Sequence, residues 1–181
     1  TGIHPLGVNT GDLDGDGKLE IVVATGADSV SILINHSMAG VLDGNSFGRL
    51  DLRAGHGSTD RVVISDFDGD GRPDLANVNA LVSSVSVFRN QSSPGAVVFD
   101  PMINFSTLSK PLGLSSADFD HDGYNDLVIA YEAPGSFSVF RNSGTGFYAT
   151  PLLETRIDVG KAGYSYEPVA SDLDGDGRPD V

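Results

Sequence analysis

The sequence predicts an all-β chain assembled from repeated four-stranded antiparallel sheets, and three observations carry the prediction. A nine-residue acidic stretch occurs four times: DLDGDGKLE at 12–20, DFDGDGRPD at 66–74, DFDHDGYND at 118–126 and DLDGDGRPD at 172–180. The copies start 54, 52 and 54 residues apart, a period that points to a propeller blade or a solenoid unit. Between them, short β-branched and aromatic segments alternate with Gly, Asn, Pro and Ser, with no helical period.

Each repeat resolves into the same four segments. Segment A precedes the acidic stretch, at 6–9, 61–64, 112–115 and 168–170. Segment B follows it, at 21–25, 75–78 and 127–131, and is nearly continuous Val, Ile, Leu and Ala. Such a run suits a strand covered on both faces. Segment C alternates Ser with apolar residues: Ser29-Val-Ser-Ile-Leu-Ile-Asn35, Ser84-Val-Ser-Val-Phe-Arg-Asn90 and Ser136-Phe-Ser-Val-Phe-Arg-Asn142. Segment D is looser, placed at 47–52, 97–105 and 147–153. Four such strands form one propeller blade. The chain therefore divides into blades at about 6–60, 61–111 and 112–167, with 168–181 opening a fourth. Closed propellers typically have four to eight blades, so the expectation is a partial propeller from a longer protein. Self-association of copies to complete a ring and an open array of three blades are the alternatives. The absence of an initiating Met at Thr1 agrees with a processed or partial chain.

The acidic stretches read as oxygen cages. Acidic side chains occupy positions 1, 3, 5 and 9 of each copy and Gly occupies position 6, where a sharp turn tolerates no Cβ. Empty, such carboxylates repel at roughly 4 kcal/mol per close pair for an effective dielectric near 20. Oxygen-only ligation argues against zinc and copper, and a flexible carboxylate loop suits Ca²⁺ better than Mg²⁺. An EF-hand is excluded by position 12, where Val23, Asn77 and Ile129 replace the bidentate Glu, and by flanking strands in place of helices. Asp-Gly runs alone signal only turns; four copies holding fifteen of the twenty-one Asp residues say more.

Composition narrows the function. The net charge of −14 excludes general nucleic-acid affinity. Sixteen of the twenty-five acidic side chains lie in the four stretches, and four Ca²⁺ would bring the charge to −6. No apolar run is long enough to span a bilayer, and no signal-peptide pattern is read within the given residues. With no Cys, metal ions take the place of disulfides as staples, as in extracellular modules that fill at millimolar calcium. An extracellular, cell-surface or periplasmic location is expected.

Taken whole, the repeat resembles the FG-GAP family, also called VCBS, found in the β-propellers of integrin α-subunits and in many bacterial secreted proteins. The resemblance implies Ca²⁺, up to four ions, held by side chains at positions 1, 3, 5 and 9 and the carbonyl at position 7. In the first site these are Asp12, Asp14, Asp16 and Glu20 with the Lys18 carbonyl, and Glu replaces the usual Asp at position 9. The second site would use Asp66, Asp68, Asp70 and Asp74 with the Arg72 carbonyl. Asp118, Asp120, Asp122 and Asp126 with the Tyr124 carbonyl would form the third, where His121 replaces Gly at position 4. If position 4 needs a left-handed conformation, His121 costs stability there. The fourth would use Asp172, Asp174, Asp176 and Asp180 with the Arg178 carbonyl.

In an up-and-down blade the A–B and C–D turns share one face. The opposite face is left to Asp28, Arg53, His56, Lys110, Glu132, Lys161, Tyr164 and Tyr166. Tyr164, Tyr166, Arg53 and Lys161 are the candidate contacts for a protein or glycan ligand, against the plainer reading of a solvated rim. Gly44-Asn45-Ser46-Phe47-Gly48 matches the nucleophile-elbow pattern but lies between segments C and D, without a strand-turn-helix context. The four His show no ligand spacing. Three sequons occur, at Asn35, Asn90 and Asn104. The sequence thus predicts a non-enzymatic, calcium-stabilised adhesion or recognition module. Its rivals are the propeller part of a larger secreted polysaccharide- or lipid-acting enzyme and a lectin-like module.

Overall fold

The computed structural model describes residues 4–55, 59–108, 110–132, 136–144, 153–159 and 167–181, with the backbone alone at 59–60 and 153–159. Among the described residues, twelve strands form three four-stranded antiparallel sheets, each in sequence order from one edge to the other. The first holds β1 (Pro5–Gly11), β2 (Glu20–Thr25), β3 (Ser29–Asn35) and β4 (Phe47–Arg53). The second holds β5 (Thr59–Ser65), β6 (Asp74–Asn79), β7 (Ser84–Phe88) and β8 (Ile103–Ser106). The third holds β9 (Pro111–Ala117), β10 (Asp126–Tyr131), β11 (Phe137–Asn142) and β12 (Leu153–Val159). These are three propeller blades. A fourth begins as a turn closed by the Ser171–Asp180 bridge.

Segments A, B and C of the three sheets fall where the residue pattern puts them, as does segment D of the first, where 47–52 lies within β4; 168–170 carries no strand, and the later D segments are displaced. The stretch 97–105 is reduced to β8 and an isolated Asn90–Phe99 bridge, while Val97 and Phe99 pack against the core shared by the first and second sheets. In the third repeat the described outer strand runs over 153–159 and meets the expected 147–153 only at Leu153. Its sequence, Leu-Glu-Thr-Arg-Ile-Asp-Val, alternates as an outer strand should; residues 147–152 lie outside the described part.

The second strands are the buried spine: every residue of β6 and β10 is buried, as are all but Ile21 in β2. Alternate faces of these strands serve different neighbours. Val22, Ala24, Val30 and Ile32 of the first sheet share one core with Val62, Leu75 and Phe88 of the second. Ala76, Val78, Val85 and Val87 of the second share another with Leu114, Leu127, Ile129 and Phe140 of the third. The residue after the first Asp of each acidic loop crosses between sheets. Leu13 is 1% exposed in the first core and Phe67 is 2% exposed in the second.

The first strands line the middle, where β5 lies against β1 and β9. They and residues 167–169 line an open cleft of about 430 Å³, where Arg61 donates to the Leu6 carbonyl at 2.6 Å and pairs with Glu167 at 3.6 Å.

Because Phe67 joins two sheets, Phe67→Ala should lower unfolding stability by about 3–5 kcal/mol in urea melts. Leu173→Ala, at the matching but exposed position, should change it by no more than about 0.5 kcal/mol. Equal effects would contradict the assignment of Phe67 as the joint.

Candidate metal centres

Three acidic loops join the first and second strands of a blade and so lie at the same end of each sheet, and the fourth is closed by the Ser171–Asp180 bridge. The backbone curls through left-handed turns at positions 4 and 6. Position 4 has φ of +76° at Gly15, +75° at Gly69 and +81° at Gly175, and His121 takes +63° there as a non-glycine. The strain expected at His121 is therefore present, about 1–2 kcal/mol for an L-residue. Its Nε2 lies 3.2 Å from the Gly177 carbonyl of the next loop.

That curl points backbone N–H groups at the loop's own carboxylates. Asp12 accepts from the N–H of Gly15 and Gly17, Asp14 from Asp16, and Asp16 from Lys18, all within 2.8–3.1 Å. The 66–74 and 172–180 loops repeat every one of these bonds. In 118–126, Asp118 accepts from Asp122 and Gly123, so the strained His121 shifts one bond by a residue. The carboxylates are thereby held in place and turned inward. Asp12, Asp14 and Glu20 present oxygens within 4.8 Å of one another, as do Asp66, Asp68 and Asp70, then Asp118, Asp120 and Asp122, then Asp172, Asp174 and Asp180.

Position 9 has a further task. Both Asp74 oxygens are taken by backbone donors, Phe67 N at 3.0 Å and Asn90 N at 2.7 Å. Asp126 holds Phe119 N and Asn142 N in the same way. Glu20 holds Leu13 N at 2.8 Å and reaches Asn35 N at 3.3 Å, so its extra methylene is accommodated. Burial pushes the Asp74 carboxyl up to about 7 and also raises Glu20 and Asp126, with neighbouring loop carboxylates adding to the rise.

The Asn that ends segment C completes the joint. Asn90 Nδ2 donates to Leu13 O at 2.7 Å and Pro73 O at 2.8 Å, spanning two successive loops. Asn142 does the same to Phe67 O at 2.7 Å and Asn125 O at 3.1 Å. Sequence reasoning passed over this residue, although its recurrence seven positions into segment C was the available signal. The Asn90 sequon is fully buried in this role.

Built-in cations offset part of the charge. Arg89 reaches Asp68 at 2.6 Å and Asp70 at 3.4 Å, and Arg141 pairs with Asp120 and Asp122. Both Arg residues precede the joint Asn; the first repeat has Ile34 there. Side chains at position 7 stay outside the cages: Lys18 pairs with Asp16, Arg72 with Asp70, Tyr124 lies over Gly69, and Arg178 sits beside Phe119 and Asp120. The donor set suits a hard cation: oxygen only, converging, preoriented by amides, and net negative even after the ion pairs.

Among the candidate ligand contacts, Arg53 is exposed at the end of β4 opposite Ser29, on the face away from the acidic loops. Lys161, Tyr164 and Tyr166 lie outside the described residues. On the same face Lys110 and Glu132 pair at 2.5 Å. Ser46 is buried, bonded to Asp43, and enters a strand directly, so it is no nucleophile elbow.

Comparison with known proteins agrees with this architecture. The FG-GAP-like repeat family matches three overlapping stretches, 12–77, 66–129 and 118–181. Human integrin alpha-IIb is similar, at 30% identity over 148 residues, which is 66% of this chain and 14% of that protein. The chain thus spans about one seventh of the curated relative it matches.

Two substitutions probe the joint and the strain. Asn90→Ala should cost about 1–3 kcal/mol in denaturant melts, because it leaves the Leu13 and Pro73 carbonyls buried without a donor. His121→Gly should raise stability by about 1 kcal/mol through release of the left-handed strain. An inert Asn90→Ala would show that the joint carries no energy.

Proposed function

The chain belongs to the FG-GAP-like repeat family, and on that premise we propose that it is a calcium-stabilised, non-enzymatic segment of an extracellular adhesion or recognition protein. The observation that carries the calcium reading is the convergence of three carboxylates to within 4.8 Å in each of four loops. Positions 1, 3 and 5 would hold the ion with position 9, and the position-7 carbonyls of Lys18, Arg72, Tyr124 and Arg178 are proposed to complete the set. A bound divalent cation supplies charge compensation and no reaction chemistry.

Of the three loops that join strands of a full sheet, the first depends most on such an ion. The second and third have Arg89 and Arg141 as partial counterions, whereas Asp12, Asp14 and Glu20 have Asp16–Lys18 as their nearest ion pair among the described residues. The likeness to integrin alpha-IIb supports the adhesive role and an exterior location. The face with Arg53, distant from the acidic loops, is the proposed ligand side, and Lys161, Tyr164 and Tyr166 are proposed as contacts from the sequence alone.

Thermal melts with millimolar calcium chloride and with EDTA test the structural role. One site at a hundredfold excess over its Kd contributes about 2.7 kcal/mol, or about 5–10 °C in a chain of this size. An unchanged Tm would overturn the calcium reading. For adhesion, a surface coated with the chain should retain cells in calcium and release them in EDTA. Retention no greater than on albumin, or turnover of a polysaccharide or phospholipid by this chain alone, would contradict the functional reading.

A further inference from the structure

The three loops that join strands differ in what holds the carboxylate at position 3. One oxygen is held alike in all of them, by the N–H of position 5: Asp14 accepts from Asp16 at 3.1 Å, Asp68 from Asp70 at 3.2 Å and Asp120 from Asp122 at 3.3 Å. The other oxygen meets different partners. In the first loop Asp14 Oδ2 accepts from a neutral group, the Gly95 N–H at 2.9 Å. In the second and third the partner is a cation: Arg89 Nε lies 2.6 Å from Asp68 Oδ2, and Arg141 Nε donates to Asp120 Oδ2. Each guanidinium also reaches position 5, with Arg89 Nη2 at 3.4 Å from Asp70 Oδ2 and Arg141 Nη2 at 2.9 Å from Asp122 Oδ2.

One residue of segment C makes the difference. Arg89 and Arg141 stand directly before the joint Asn, where the first repeat has Ile34, half-buried against the core shared by the first two sheets. A different convergence goes with it. Positions 1, 3 and 5 gather their oxygens in the two loops that carry an Arg, whereas positions 1, 3 and 9 do so in the first. Each Arg bridges positions 3 and 5 and so offsets the repulsion between them. The Asp68 side chain is only 7% exposed, so solvent screens little of this pairing. Lys18 and Arg72 pair with position 5 in the first and second loops alike, and so do not distinguish them.

We propose that Arg89 and Arg141 are resident counterions that compete with calcium for these carboxylates, so that the first loop fills at a lower free calcium concentration than the second and third. The proposal rests on the calcium reading above and adds an order of filling to it. Calcium affinity in carboxylate loops is tuned over decades by ligand charge count and site rigidity. A guanidinium on two of the four carboxylates lowers the charge without removing a ligand oxygen. With no ion present the same guanidinium stabilises its loop, because positions 3 and 5 no longer repel unopposed. Arg89 and Arg141 thus support the chain at low calcium and weaken its hold on the ion.

Arg89→Ile gives the second loop the residue of the first repeat, and Arg141→Ile does the same for the third. Calorimetric titration of the chelator-stripped full chain with calcium chloride, beside thermal melts in EDTA, tests the proposal. Each variant should bind calcium about tenfold more tightly at one site, one decade of the range that ligand charge commands, and should melt below the wild type in EDTA. The site lost in Asp12→Asn should be tighter than those lost in Asp66→Asn and in Asp118→Asn. Circular dichroism checks folding, and the two Arg positions test the idea independently. An Arg with a merely structural role would lower the melting temperature and leave calcium affinity unchanged or reduced. That result in either folded variant, or a first site weaker than the other two, would overturn the proposal and leave the calcium reading standing. No calcium binding by any of the chains would overturn both.

Discussion

The buried carboxylate at position 9 is the constraint on which the structure depends. In three repeats it draws together two backbone N–H groups far apart in sequence, one from the loop's second residue and one from the Asn ending the third strand. The first bond aims that apolar second residue, Leu13 or Phe67, at the next sheet. The second fixes the Asn whose amide bridges from its own loop to the preceding one. A single carboxylate therefore sets the turn, the hairpin and the angle between sheets, and its burial places negative charge where water cannot offset it.

That charge explains the loop above it. Asp74 is pushed up to about 7 by burial, and Asp68 is raised by the same cause with Asp70 adding repulsion. Arg89 and Arg141 relieve part of this in the second and third repeats. A divalent cation in each loop would relieve the rest and restore ionised carboxylates, so fold stability and ion binding would be one property. The family assignment and the geometry meet at this point: the same acidic spacing that marks the repeat also builds the joint.

Much of this was legible in the sequence. The acidic spacing gave the loops, the 52–54 residue period gave the blades, and unbroken Val, Ile and Leu runs gave the buried second strands. The left-handed turn at His121 followed from its three Gly counterparts. Outer strands were harder, because one face meets solvent and the loops before them vary. Val97 and Phe99 look like strand residues yet form no more than the isolated Asn90–Phe99 bridge and serve the core beneath, since apolar character does not say how far a ladder runs. The double role of position 9 was hidden because it depends on which backbone N–H groups approach, and backbone donors carry no residue signature. Asn90 and Asn142 were visible only as a recurrence whose meaning required the neighbouring loop.

The account stands or falls on whether these loops hold calcium. Equilibrium dialysis of the chelator-stripped chain against millimolar free calcium measures this directly, read out by elemental analysis. Saturation approaching one ion per acidic loop is predicted, with about one ion lost in an Asp66→Asn, Asp68→Asn double variant that remains folded. A folded chain retaining no calcium above the dialysate would contradict it.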